Sequence, residues 1–315
     1  MPVHRPQAIE TDPPSAYNAR RIDGRGFARV ARLRQLAGYR RIAAACGVAV
    51  AVVAVPLAAS AEVKLEARYT ITVTGLTVGE SAWRADIAPD HYTATATSRM
   101  KGVARWLVRG EATAIVHGLI RDGRLMPTDF SSKANTEDEN SETRMTVDNG
   151  QAKDIVDTST EKVRDRVPVP DEHRRDIIDP ISAMIIAAPP EGDKLPRAAC
   201  ERTLPVFDGR RRYDLKLTFK RMDKVAASEG YAGPAVVCTM RMLPLSGHRA
   251  GGVLVAYLTE GRDMELWLAP IVGTPMLAPF RISAGGGVAP ITMQASKFQA
   301  VDTTAAQVTV GDKAP

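Results

Sequence analysis

Lysine is missing from the first 61 residues, and acids are nearly so. That stretch holds nine arginines against only Glu10, Asp12 and Asp23. Nine of the 42 basic and three of the 36 acidic residues thus precede Glu62, and 33 of each sign remain from Glu62 onward. The formal charge of +6 therefore belongs to the leader, and the body is neutral. A nucleic-acid binder needs a clustered basic face, so this body argues against such a partner. Aromatic residues, at 5%, are too few for a base-stacking platform. Cysteine is limited to Cys46, Cys200 and Cys238. The rest of the composition is ordinary. Hydrophobic residues at 44% and charged residues at 25% of 315 residues suit one large globular domain or two small ones, not a disordered chain.

Chemical motifs are also scarce. There is no G-x-S-x-G elbow, no P-loop and no G-x-G-x-x-G. Beyond the leader stand four histidines, His91, His117, His173 and His248. None is spaced i, i+4 from another or placed with a cysteine as metal ligands are. No metal or cofactor is implied. Ser98-Arg99-Met100-Lys101 matches S-x-x-K without its S-D-N or K-T-G companions. Asp171, Glu172 and His173 read as charge on a solvated loop. Arg210, Arg211 and Arg212 follow Asp208-Gly209. Guanidinium groups clamp anions, but the polar alternation continues to Lys220, so these arginines are expected on the solvent face of a hairpin corner.

The leader has the three parts of a secretory signal. Arg29, Arg32, Arg34, Arg40 and Arg41 precede an uncharged stretch over 42–61, and Ala59-Ser60-Ala61 sets small residues at the −3 and −1 positions. Cleavage is expected between Ala61 and Glu62. Without it, the Ala-rich stretch would anchor the chain in the inner membrane. Cys46 lies too early in the apolar stretch for a lipobox. Cys200 and Cys238 then remain as an even pair. In an exported protein such a pair reads as a disulfide, and the spacing is far wider than a C-x-x-C redox pair. Two buried thiols are the alternative.

The body alternates with period two. Leu65, Ala67, Tyr69, Ile71 and Val73 interleave with Lys64, Glu66, Arg68, Thr70 and Thr72, as in a half-buried strand. Tyr213, Leu215, Leu217 and Phe219 repeat the pattern, as do Met264, Leu266 and Leu268. Further strands are expected at 81–87, 92–98, 112–119, 129–133, 143–147, 236–242, 276–283 and 291–298. Thr74-Gly75, Asp122-Gly123 and Asn149-Gly150 mark tight turns between them. The expected fold is mainly β, an antiparallel meander forming a barrel or a strongly curved open sheet over 62–301, with one or two short covering helices. One helix is expected after Asp179 and Pro180, with Ile181, Met184, Ile185 and Ala188 at helical spacing and Pro189-Pro190 as its stop. A weaker one is expected over 102–108. The tail over 302–315 lacks a core pattern.

Several pieces, in this order, carry a likeness: YTITVTGLTVGE (69–80), DPISA (179–183), FDGRRRYD (207–214), LWL (266–268) and PFRI (279–282). With them the chain resembles exported bacterial proteins of the domain of unknown function 3108 family, from about residue 65 to 300. The resemblance implies an envelope protein with an antiparallel β body. It brings no activity and no catalytic residue.

Three functions fit. The first is a non-catalytic binder or carrier of a hydrophobic ligand, with Trp83, Trp106, Ile181, Met184, Ile185 and Trp267 as candidate cavity lining, although isolated tryptophans also serve as ordinary core. The second is a structural or adaptor protein whose partner is another envelope protein. The third, a hydrolase, would need His173 or His248 to meet Asp or Ser in a cleft. The expected location is periplasmic or otherwise exported. N-terminal sequencing of the protein from an envelope fraction should begin at Glu62. Recovery of a chain retaining residues 42–61 would identify an uncleaved anchor instead.

Overall fold

A computed structural model describes residues 62–101, 110–136, 140–159, 166–188, 195–250, 264–285 and 290–303. The leader, the 102–108 segment with Trp106, and residues 304–315 lie outside the described residues.

Two meanders make one sheet. The first runs through β1 (Val63–Val73), β2 (Leu76–Ile87), β3 (His91–Met100), β4 (Gly110–Arg121), β5 (Arg124–Thr136), β6 (Asn140–Asp148) and β7 (Gln151–Asp157). Its hairpins at Thr74-Gly75, Asp122-Gly123 and Asn149-Gly150 have both residues at positive φ. That is the type I′ geometry whose twist matches the strands it joins. After a β8 of two residues (Ile186–Ala187) come β9 (Arg202–Phe207), β10 (Arg212–Ala226), a short β11 (Glu229–Gly230), β12 (Ala232–Ser246), β13 (Met264–Ile271), β14 (Met276–Ala284) and β15 (Ile291–Asp302). The strand order is β7-β6-β5-β4-β3-β2-β1-β15-β14-β13-β12-β10-β9, with β8 added to β14 and β11 to β15. Every pairing along this order is antiparallel.

The sheet is not closed: β7 and β9 stand at opposite ends of the order. A dipeptide spans the gap. The Ile177 N–H donates to the Gly150 carbonyl in the β6–β7 turn at 3.0 Å. Ile178 exchanges backbone hydrogen bonds with β9, its N–H to Pro205 and its carbonyl from Phe207, both at 2.9 Å.

Each face of the curved sheet has its own core. One cluster holds Leu65, Tyr69, Val116, Phe130, Trp267, Phe280 and Phe298, together with Ile181 and Ile185. The other holds Leu266, Leu268, Val236 and Met240, together with Ala183, Ile186 and Leu195. The segment over 177–188 is therefore shared between them, and this explains a correction. The expected helix is absent: only Ser182–Met184 forms a 3₁₀ turn, and Ile185 is already extended. Ile186–Ala187 then pairs with Met276 and Leu277, and the Ala188 N–H donates to Pro275 at 2.8 Å. A helix of two turns is marginal alone. Its Ile185-Ile186 pair is β-branched and Ala188 precedes a proline, so the C-terminal half of the run favours extended backbone. β15 runs to Asp302, and the Thr303 N–H donates to Glu62 at 3.0 Å.

Cys200 ends a 3₁₀ turn (Arg197–Cys200) and is bonded to Cys238 on β12, with 38 residues of separation and a Cα–Cα distance of 5.3 Å. Both are fully buried in the second core. The bond ties the covering segment to the sheet. A closure of this length stabilises by about 3–4 kcal/mol through the unfolded chain. Urea unfolding with and without reductant should show a loss of that order, matched by the C200A/C238A double variant. Coincident curves would mean that packing alone holds the segment in place.

Candidate functional site: a groove lined by small residues

Residues directly opposite on paired strands share a face. Reading across the register, one inward row is Leu65, Ala85, Ala94, Val116, Phe130 and Met145. It is fully buried and filled by its large members. The next row is Ala67, Trp83, Ala96, Ala114, Ser132 and Thr143. The one beyond is Tyr69, Ser81, Ser98, Ala112, Ala134 and Ser141. Side-chain volume thus shrinks from one end of the strands to the other, and the concave face is left unfilled at the small end.

The result is a groove of about 440 Å³. Trp83, Ile181 and Met293 supply its large apolar surface, and Ala96, Ala114, Ser98 and Ser132 its walls. Asp208, Arg210 and Arg211 close one side. Trp83 is set edge-on against Tyr69, with centroids 6.1 Å apart, and the Tyr69 hydroxyl donates to Pro279 at 2.7 Å. These contacts join the first and last pieces of the family-like sequence. A second cavity of about 790 Å³ shares Ser81, Ser98, Ala112 and Thr113 but is bordered by Arg68, Glu80, Arg99 and Lys101. There Glu80 is already bonded to both Arg99 and Lys101.

The arginine corner departs from expectation. Arg212 is 9% exposed, not on a solvent face, and donates to Asp214 at 2.6 Å. Arg210 meets Asp157 of β7 at 3.0 Å. Gly209, at φ +88°, packs against Thr143 of β6, and a Cβ there would overlap the Thr143 methyl. The β9–β10 corner therefore leans across the sheet's opening onto the far strands. Asp208 shapes it by accepting the N–H groups of Arg210 and Arg211 on Oδ1, at 2.9 and 2.6 Å.

Of the expected lining residues, Trp83 and Ile181 meet in the groove. Ile185 is buried in the first core and Met184 packs on the second. Trp267 donates to Asp223 at 2.9 Å and lies beneath Arg281 and Arg221, in a separate charged cavity of about 510 Å³ with Glu265 and Lys220. These three do not line the groove.

Ile181 is positioned by a buried polar cluster. Asp179, fully buried, accepts the N–H groups of Ile181 and Ser182 on Oδ1, at 2.9 and 3.0 Å. Its Oδ2 has no hydrogen-bond partner among the described residues. The Ser182 hydroxyl meets the Tyr92 hydroxyl at 2.6 Å. Burial pushes the Asp179 carboxyl up to about 6 and drives the Tyr92 phenol well above its ordinary value, with Asp179 adding to the effect. Asp179 was legible as the N-cap of a helix; its place at a 3₁₀ turn and its isolation from water were not.

The hydrolytic arrangement is partial. His173 Nδ1 and Ser246 Oγ are 2.9 Å apart, but Ser246 is 1% exposed and no carboxylate pairs with His173 among the described residues. His248 Nδ1 is buried with no hydrogen-bond partner among the described residues. Ser98 donates to Ser81, while Lys101 bonds Glu80, so the S-x-x-K pair is not assembled. Among the described residues no group of three His, Cys, Asp or Glu could hold a metal. Nor is any helix among them long and apolar enough to cross a membrane.

The family model for proteins of unknown function DUF3108 matches residues 68–295. The chain belongs to that family. Its matched span includes every residue that lines the groove. A search of curated proteins returns no match. Among solved structures, the chain is similar to a β-barrel-like protein of domain of unknown function DUF1849 from Brucella abortus, at 10% identity and TM-score 0.39, over 77% of this chain and 98% of that one. It is also similar to a candidate lipoprotein from Parabacteroides distasonis, at 8% identity and TM-score 0.28, over 75% and 94%. At these scores neither bears on what the chain does.

Asp179 gives a pH prediction. Burial raises the native carboxyl from its ordinary 3.8 to about 6, so the native state holds the proton more tightly. Its contribution to stability therefore falls as pH rises from about 4 to about 6 and is constant above that window, by roughly 2–3 kcal/mol in all. Asp179→Asn keeps the accepting oxygen and removes the charge. Urea unfolding at pH 4.5 and 7.5 should show wild type losing more stability than D179N as pH rises. Equal losses would place the carboxyl in contact with water.

Proposed function

We propose that this is an exported cell-envelope protein that binds a hydrophobic ligand without catalysis, in the groove over Trp83 and Ile181. One observation carries the reading: the inward rows end in alanine and serine, so the curved face carries a concavity of about 440 Å³ that its own side chains do not fill. Ligand sites usually measure about 300–1,000 Å³, with an apolar lining and a few placed polar groups. A sheet that only needed to be stable would gain by filling this space with larger residues. Two features support export. The leader has the parts of a secretory signal, and the Cys200–Cys238 bond belongs to oxidising compartments.

Filling the groove tests the reading. Ala96 and Ala114 are adjacent on β3 and β4 and both line it. Ala96→Leu and Ala114→Leu put four-carbon side chains into open space, so the thermal midpoint should stay within a few degrees. Native mass spectrometry of wild type from an envelope fraction should show a bound lipid-like species that both variants lack. Wild type without such a species, together with a defined protein partner on cross-linking, would favour the adaptor role.

A further inference from the structure

The β9–β10 corner carries three arginines whose charges are not equivalent, and two of them, Arg210 and Arg211, border the groove. Arg210 is neutralised by Asp157 at 3.0 Å, and Arg212 by Asp214 at 2.6 Å. Lys133, which also borders the groove, lies 3.5 Å from Glu142. Arg211 lines the groove, is exposed, and has no carboxylate partner among the described residues. Asp208 borders the same rim, but its Oδ1 is engaged by two backbone N–H groups and it forms no ion pair with Arg211. The rim thus pairs one unmatched guanidinium with an apolar floor of Trp83, Ile181 and Met293.

Resting on the binding reading above, we propose that the ligand is a single-chain amphiphile with an anionic head, its chain over Trp83 and Ile181 and its head on Arg211. A guanidinium offers a planar fork that fits carboxylate or phosphate oxygens two at a time. The volume, at the small end for ligand sites, suits one chain. Gly209 and the Arg210–Asp157 pair fix the corner, so Arg211 is presented from a braced turn.

The test compares decanoate, decyl phosphate and 1-decanol, which share a chain and differ in the head. Titration calorimetry uses the purified protein after extraction of lipid, with Arg211→Gln alongside. At least one anion should bind tenfold or more tighter than decanol, and the tighter of the two names the head. In R211Q that preference should vanish, with decanol binding and thermal midpoint unchanged. Decanol binding as well as both anions, or R211Q keeping the preference, would overturn the anionic head and leave the groove reading standing. No binding of any of the three would overturn both.

Discussion

The ladder between β1 and β15 is the constraint on which the rest depends. It pairs Val63 with Asp302 and runs to Val73 with Ile291, joining strands from opposite ends of the body. Without it there are two meanders, each with one uncovered face. With it there is one sheet, and the first core includes Leu65 and Tyr69 from β1, Phe298 from β15 and Phe280 from β14. Such a contact closes the longest loop in the domain, so its entropic cost falls late in folding and is offset only when both meanders exist. The remaining opening, between β7 and β9, is spanned by backbone bonds from Ile177 and Ile178 and by the leaning β9–β10 corner.

The groove follows from where that sheet stops being filled. At one end of the strands Phe130, Met145 and Tyr92 occupy the interior. At the other, the same strands present Ala96, Ser98, Ala114 and Ala134, and no large residue replaces them. The polar groups nearby are organised for position rather than reaction. Asp179 and Ser182 set the turn that delivers Ile181, and Asp208 sets the corner that delivers Arg211.

Strands such as β1 and β6 were legible because their burial alternates, and the turns at Asp122-Gly123 and Asn149-Gly150 because their residues tolerate positive φ. The helix was not. Ile181 and Ile185 enter one core while Ala183 and Ile186 enter the other, so an extended segment with two buried faces imitates a helical stripe. The groove was only half legible. Trp83 and Ile181 stood out as large apolar residues, but Ala96 lies beside Ala114, and Ser132 beside Thr143, only through register. The role of the arginine corner depends on Gly209 meeting Thr143, a contact between strands far apart in sequence. A continuing polar alternation pointed the other way.

The central claim is that the small end of the sheet is built to be occupied from outside the chain. A crystal structure of protein taken from envelope without lipid extraction tests it most directly. The account predicts continuous elongated density between Trp83 and Ile181 that ends beside Arg211. A groove closed by its own side chains, or holding only separate waters, would contradict it.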